Sequence, residues 1–192
     1  MTAPRAEQPE RLRLTDSLES LRPAYELVVI GGGINGLAVA RDASARGIRT
    51  LLLERDDLGA HTTNASSRLI HGGLKYLEHM ELKLVRESIR ERTVLLRDAP
   101  HLVRPYPMLI PFEREGSRPG WMLSAGLMLH DALSIGKPLP RSRILSRRAV
   151  QERWPGLAAG HRGGGLYVDA NVAWTERLCV EIALAAQRDG AD

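Results

Sequence analysis

The sequence predicts an α/β fold of the Rossmann-like βαβ type, and three observations carry that prediction. An apolar run from Leu27 to Ile30 leads into Gly31-Gly32-Gly33-Ile34-Asn35-Gly36. A helical pattern follows. A second apolar run, Thr50 to Leu53, then ends on Glu54. Strand, glycine loop, helix, strand and acid in this order form the fingerprint of a dinucleotide site.

Each part of the fingerprint has a physical task. Gly31 makes the tight turn. Gly33 has no Cβ, so the backbone can approach a pyrophosphate. Gly36 lets the helix pack closely on the strand. Gly32, Ile34 and Asn35 complete the loop and the helix start, whose free N–H groups and partial positive charge suit phosphates. Glu54 stands eighteen residues after Gly36, near the spacing of an acid that holds ribose hydroxyls. A carboxylate there repels a 2′-phosphate, which disfavours NADP and leaves FAD and NAD. Ala40 and Gly47 are placed where helix and sheet must lie close.

The segment after the second strand separates these two cofactors. Residues 61–79 read HTTNASSRLIHGGLKYLEH. With the glycine loop, this segment resembles the FAD-dependent glycerol-3-phosphate dehydrogenases, which share the fold of the glutathione-reductase and D-amino-acid-oxidase flavoproteins. Thr62, Ser66, Ser67, Leu69, Ile70, His71, Gly72, Gly73, Leu74, Tyr76, Leu77 and Glu78 match the family pattern. The resemblance implies FAD as cofactor, with Ser66, Ser67, Arg68 and Leu69 on its side of the site. His71 and Lys75 become the candidates for the substrate side. Arg68 stands where the family has lysine, and Lys75 where it has arginine. Lys75 keeps the charge but loses the planar fork that grips a phosphate with two bonds. Two plainer readings stay open at this point: His71 as a core histidine bonded to backbone, and Lys75 as a solvent-facing cation.

Composition sets the outer limits. The 192 residues suffice for one fair-sized core, and the 43% hydrophobic and 26% charged content is that of an ordinary globular chain. The single cysteine, Cys179, excludes an intrachain disulfide and reads as a small buried helical residue. No Cys/His spacing suggests a metal. A net charge of +4 favours acidic partners and phosphorylated substrates. No nucleic-acid motif is present, and nucleic acid is not an expected partner. Residues 1–24 read as a flexible N-terminal extension, with a short helix near Leu14 to Leu21 and no targeting signal. Residues 25–192 read as the N-terminal part of an FAD-binding oxidoreductase domain with part of the substrate region.

The remaining elements follow in order. Residues 55–80 form a loop with short helical pieces. Glu81 to Asp98 is an amphipathic helix with Leu82, Val85, Ile89 and Leu96 on one stripe. Tyr106 to Pro111 is a strand bracketed by prolines. Glu113 to Gly120 is a polar turn. Residues 121–135, WMLSAGLMLHDALSI, are apolar almost all round, which suits a buried helix and leaves monotopic membrane contact as the alternative. Arg141, Arg143, Arg147 and Arg148 follow as a basic cluster that suits either anionic lipid or solvent. Ser146 caps a short helix that stops near Trp154-Pro155. Gly163-Gly164-Gly165 reads as a turn before a strand from Leu166 to Val168. Tyr167-Val168-Asp169 resembles the family's Tyr-x-Asp. A final helix runs to about Arg188 and closes at Gly190.

In the family the next strand follows this Gly-Ala turn, and several hundred further residues complete the FAD pocket, the substrate site and the cap. The chain therefore resembles the N-terminal portion of such an enzyme, with its α/β fold incomplete at the C-terminus. The implied reaction is oxidation of sn-glycerol 3-phosphate to dihydroxyacetone phosphate, with C2 hydride passing to the flavin and electrons onward to quinone. The general base is expected outside these residues. The resemblance also implies a cytoplasmic enzyme with peripheral contact on the inner face of the membrane, and a homodimer in its complete form. Two alternatives stay open: another FAD-dependent oxidase of the same fold, and an inactive or merely nucleotide-binding remnant.

Overall fold

The computed structural model describes residues 21–113, 118–136, 138–157 and 160–192. In chain order the elements are β1 (Leu27–Ile30), α1 (Ile34–Ala45), β2 (Thr50–Leu53), β3 (Leu69–Ile70), a 3-10 turn (Leu74–His79), α2 (Leu82–Asp98), β4 (Val103–Glu113), α3 (Gly120–Leu133), β5 (Arg143–Ser146), α4 (Arg147–Arg153), β6 (His161–Val172) and α5 (Thr175–Arg188). Where the sequence reads as one continuous α/β unit, the described residues fall into two compact units. One comprises 21–66 with 174–192, and the other 67–173.

The first unit is the predicted βαβ. Strands β1 and β2 pair in parallel, Leu27 opposite Thr50 and Ile30 opposite Leu53, and α1 makes the crossover such a pair requires. Helix α5 lies on α1: Cys179 and Ala183 meet Leu37, with Ile34, Leu52, Leu58 and Ile182 around them. Ala40 is buried as expected. Gly47 is a correction. A Cβ there would meet nothing within 4 Å among the described residues; the position needs glycine for its φ of +78°, which turns the chain out of α1.

The chain beyond α5 turns at Gly190, φ +95°. Asp192 then bonds the outer edge of β2, its N–H donating to Thr50 O at 3.0 Å and its carbonyl accepting from Leu52 N at 2.8 Å. This is the hydrogen-bond pattern of a parallel pair, at the point where the family pattern places its next strand. Residues 1–20 of the predicted extension, including the helix expected at Leu14 to Leu21, lie outside the described residues. Arg22, inside that extension, is tied down: its guanidinium meets Asp192 at 3.1 Å and Gly190 O at 3.0 Å.

The second unit is built on antiparallel pairing. Strand β6 is central, with β4 along one side and β3 and β5 on the other. Strand β4 carries Pro105, Pro107 and Pro111 and pairs only with β6 among the described residues, the edge position prolines tolerate. It is longer than the predicted Tyr106 to Pro111. Gly163-Gly164-Gly165 is not a turn but part of β6, a second correction. Its glycines are needed because neighbours crowd both faces. A Cβ on Gly164 would meet Leu109 at 2.8 Å, and one on Gly165 would overlap Leu127 of α3. Ser146 caps α4 as predicted, its Oγ accepting from Ala149 N at 3.3 Å.

Helix α2 buries Val85 and Ile89 against Leu77, with Leu74, Tyr76, Leu82 and Leu133 around them. Each such side chain stabilises the unit by about 1.5–3 kcal/mol. Helix α3 is a third correction. Within it only Leu127 and His130 are buried, while Trp121 (73%), Met128 (70%) and the nearby Ile135 (73%) stand exposed. An all-round apolar sequence has no period to say which side is covered, and in this unit β6 and its surroundings cover one side. Residues 114–117 of the predicted polar turn lie outside the described residues.

Candidate functional site

The glycine loop takes its shape from local sterics. Gly31 adopts φ +107°, and a Cβ on Gly36 would collide with the Gly31 carbonyl. Gly36 therefore seats the first turn of α1 on the loop. Gly32 is constrained too: a Cβ there would lie 2.6 Å from Leu58 Cδ2 and 3.1 Å from Glu54 Cβ. Gly33 differs. Its φ is an ordinary −75°, and among the described residues the only neighbour of a Cβ would be Thr63 Oγ1 at 3.4 Å. Protein packing thus does not require glycine at 33, but close approach of a ligand to the backbone would.

Gly33 is the N-cap of α1 and supplies no side-chain cap, and the first turn carries no acid. Thr63 Oγ1 accepts from Ile34 N at 3.2 Å, and Gly59 N donates to Gly32 O at 3.0 Å, folding the 55–65 segment back onto the loop. Glu54 closes the other side. Its carboxylate accepts from Asp56 N at 2.8 Å and from Gly32 N at 2.5 Å, and these N–H groups hold its carboxyl below the ordinary carboxylate range. It is ionised at neutral pH and so acts only as an acceptor. A helix N-terminus whose N-cap residue has no side chain, a backbone without Cβ at 33 and an ionised acid beside them fit the diphosphate and ribose of a dinucleotide.

The second set of candidates lies in the 67–173 unit. His71 and Lys75 flank Gly72-Gly73, and both are exposed. The reading of His71 as a core histidine is therefore excluded; its ring sits 5.9 Å from that of Tyr76. Gly73 adopts φ +76° and starts the 3-10 turn that carries Lys75. Beneath the loop is a buried ion pair that the sequence reading missed. Arg92 Nη1 donates to Asp169 Oδ1 at 2.7 Å, with both side chains 1% exposed. The Asp169 carboxylate also accepts from Gly72 N at 3.0 and 3.1 Å. Buried His130 lies against the same glycine: a Cβ on Gly72 would sit 2.7 Å from its Nε2 and overlap Arg92 Nη1. Burial, then the Arg92 cation, push the His130 pKa down, so the ring is neutral.

The other predicted cofactor residues are placed as follows. Ser66 closes the first unit and Ser67 opens the second, both exposed. Leu69 is half-buried in β3. Arg68 takes an unusual φ of +60°, held by its carbonyl accepting from Val172 N at 2.9 Å and Asn171 Nδ2 at 2.8 Å. Its Nη1 donates to Ala173 O at 2.8 Å. Arg92 had a signal in the sequence. It falls three residues after Ile89 and four before Leu96, a charge inside an apolar stripe. Asp169 had one as well, a carboxylate within Leu166 to Val172. Thr63 had none beyond its place in the loop.

Against known proteins, the model of the FAD dependent oxidoreductase family matches residues 26–192. A glycerol-3-phosphate dehydrogenase of Synechocystis sp. is 50% identical over 169 residues, covering 88% of this chain and 31% of that protein. A D-erythritol 1-phosphate dehydrogenase of Brucella abortus is 42% identical over 168 residues, covering 86% and 32%. Among solved structures, the glycerol-3-phosphate dehydrogenase from Bacillus halodurans complexed with FAD superposes with a TM-score of 0.62 at 28% identity, covering 88% of this chain and 26% of that one. The chain spans about a third of the length of the curated relatives it matches.

Proposed function

The chain belongs to the FAD dependent oxidoreductase family, and from that membership we propose that it binds FAD at residues 31–36 and serves the oxidation of sn-glycerol 3-phosphate to dihydroxyacetone phosphate. The observation that carries the cofactor half is the N-terminus of α1, where the N-cap Gly33 offers no side chain, Thr63 takes only the Ile34 N–H, and ionised Glu54 lies alongside. The substrate half is supported by relatives of up to 50% identity named for this activity and by the matching His71-Gly72-Gly73-Leu74-Lys75 segment. When bound, the flavin supplies the acceptor for the hydride leaving C2.

The chain's own residues have separable tasks in this reading. The N–H groups at the start of α1 hold the diphosphate. Glu54 accepts from the ribose hydroxyls. Ser66, Ser67, Arg68 and Leu69 belong to the cofactor side. His71 hydrogen-bonds the flavin ring or moves a proton near it, and Lys75 supplies a cation for the phosphate. Quinone is the proposed electron acceptor. Peripheral contact with an anionic membrane is supported by exposed Trp121, Met128 and Ile135 and by the exposed cations Arg141, Arg143, Arg147 and Arg148. No helix among the described residues is long and apolar enough to cross a membrane.

The relative named for D-erythritol 1-phosphate favours a second reading, another polyol phosphate at the same site. Steady-state kinetics of the FAD-loaded enzyme, in a form spanning the full length of its relatives, decide both points. Lys75→Met is expected to lower kcat/KM for the phosphorylated substrate by roughly ten- to a hundredfold, the scale of one charged hydrogen bond of about 1.5–3 kcal/mol. Lys75→Arg should preserve or improve it. Unchanged kinetics in Lys75→Met would make Lys75 a solvent-facing cation. An equal loss on unphosphorylated glycerol would assign it to the reacting carbon or the flavin. A higher kcat/KM for D-erythritol 1-phosphate than for sn-glycerol 3-phosphate would establish the second reading.

A further inference from the structure

We propose that Asp169, held in place by Arg92, is a positioning residue for the loop that presents His71 and Lys75, an inference that rests on the functional reading above for its link to turnover. The β3–β6 ladder ends abruptly before the loop. Leu69 pairs with Asn171 and Ile70 with Ala170. Continued by one step, the register would set His71 opposite Asp169, and the chain would run on as a strand. It does not. Gly72 N donates instead to the side chain of Asp169. A carboxylate thus takes the amide that a strand would give to a backbone carbonyl, and the chain leaves the sheet at that point. Gly73 then enters the left-handed region and starts the 3-10 turn bearing Lys75.

The carboxylate is itself fixed. Arg92 Nη1 holds Oδ1 at 2.7 Å, and Ala170 N adds a bond to the same oxygen at 3.2 Å. Arg92 Nη1 and His130 Nε2 occupy the space a Gly72 side chain would need, so residue 72 is enclosed by charge, ring and sheet. On the other side of Gly73, a Cβ would lie 2.8 Å from Tyr76 Cδ2 and 3.3 Å from Ser88 Oγ. The backbone between His71 and Lys75 is therefore held at two adjacent residues while both of their side chains remain exposed. Neither Asp169 nor Arg92 is exposed enough to meet a ligand. They act through the loop.

A purely structural pair and a positioning pair differ in one respect. Replacing both charges with apolar groups often preserves or raises stability, but it leaves Gly72 N–H without its acceptor. The test compares two double variants of the FAD-loaded protein. Arg92→Met with Asp169→Leu removes both charges and the acceptor. Arg92→Met with Asp169→Asn removes the charges, keeps an acceptor oxygen and strands a buried amide N–H. The second variant should have the lower Tm yet the higher activity. Its kcat/KM should stay within a few-fold of the parent. That of the first should fall roughly a hundredfold, the scale of misplacing a reacting group by about 1 Å, and mainly through kcat.

An independent arm reads the Gly72 amide by NMR hydrogen exchange. Protection should persist in the Asn variant and be lost in the Leu variant. Activity that follows Tm, or equal Gly72 protection in the two variants, would overturn the proposal. A parent protein that turns over no polyol phosphate would overturn the functional reading instead, and the exchange arm would still decide whether Asp169 sets the loop.

Discussion

Asp169→Leu alone is expected to destabilise the protein by about 3–5 kcal/mol, because it leaves the Arg92 guanidinium buried without its counter-charge. Arg92→Met alone should cost a similar amount for the converse reason. Both side chains are 1% exposed, so water cannot replace the missing partner. The neutral His130 beside them offers no negative charge. The checking measurement is urea unfolding of each single variant alongside the double Arg92→Met/Asp169→Leu. The double should recover most of the loss. Singles within about 1 kcal/mol of the parent, the value of an exposed pair, would mean that the ion pair is solvated in solution.

The second large effect falls on the cofactor. Gly33→Val should leave the fold intact and weaken FAD binding. The position has an ordinary φ of −75° and, among the described residues, only Thr63 Oγ1, at 3.4 Å, near a Cβ. Overpacking against a diphosphate of about 1–3 kcal/mol corresponds to roughly five- to a hundred-and-fiftyfold in Kd. Gly36→Val is the contrasting control, since a Cβ at 36 collides with the Gly31 carbonyl and should damage the fold itself. Fluorescence titration with FAD and thermal unfolding separate the two. Parent-like affinity in Gly33→Val would place the diphosphate elsewhere.

What could be read in the sequence was what depends on near neighbours along the chain. The glycine loop is such a case: Gly31 and Gly36 lie five residues apart, and their clash is set by the loop itself. The Ser146 cap needs only Ala149. The Arg92–Asp169 pair joins residues 77 apart, and no local pattern links them. Arg92 showed only that an apolar stripe contained a charge, not what met it. Gly163-Gly164-Gly165 misled for the same reason. Three glycines look like a turn until Leu109 and Leu127 are known to press on them. Helix α3 misled because uniform apolarity carries no direction. Lys75 and His71 came from the family pattern alone, and the structure adds the support beneath them.

The most direct test is anaerobic addition of sn-glycerol 3-phosphate to the FAD-loaded enzyme in a form spanning the full length of its relatives, followed at the flavin band at ~450 nm. The account predicts that the band bleaches with sn-glycerol 3-phosphate, more slowly with unphosphorylated glycerol, and more slowly with the phosphorylated substrate in Lys75→Met. A flavin band that stays unchanged in the presence of sn-glycerol 3-phosphate would contradict it.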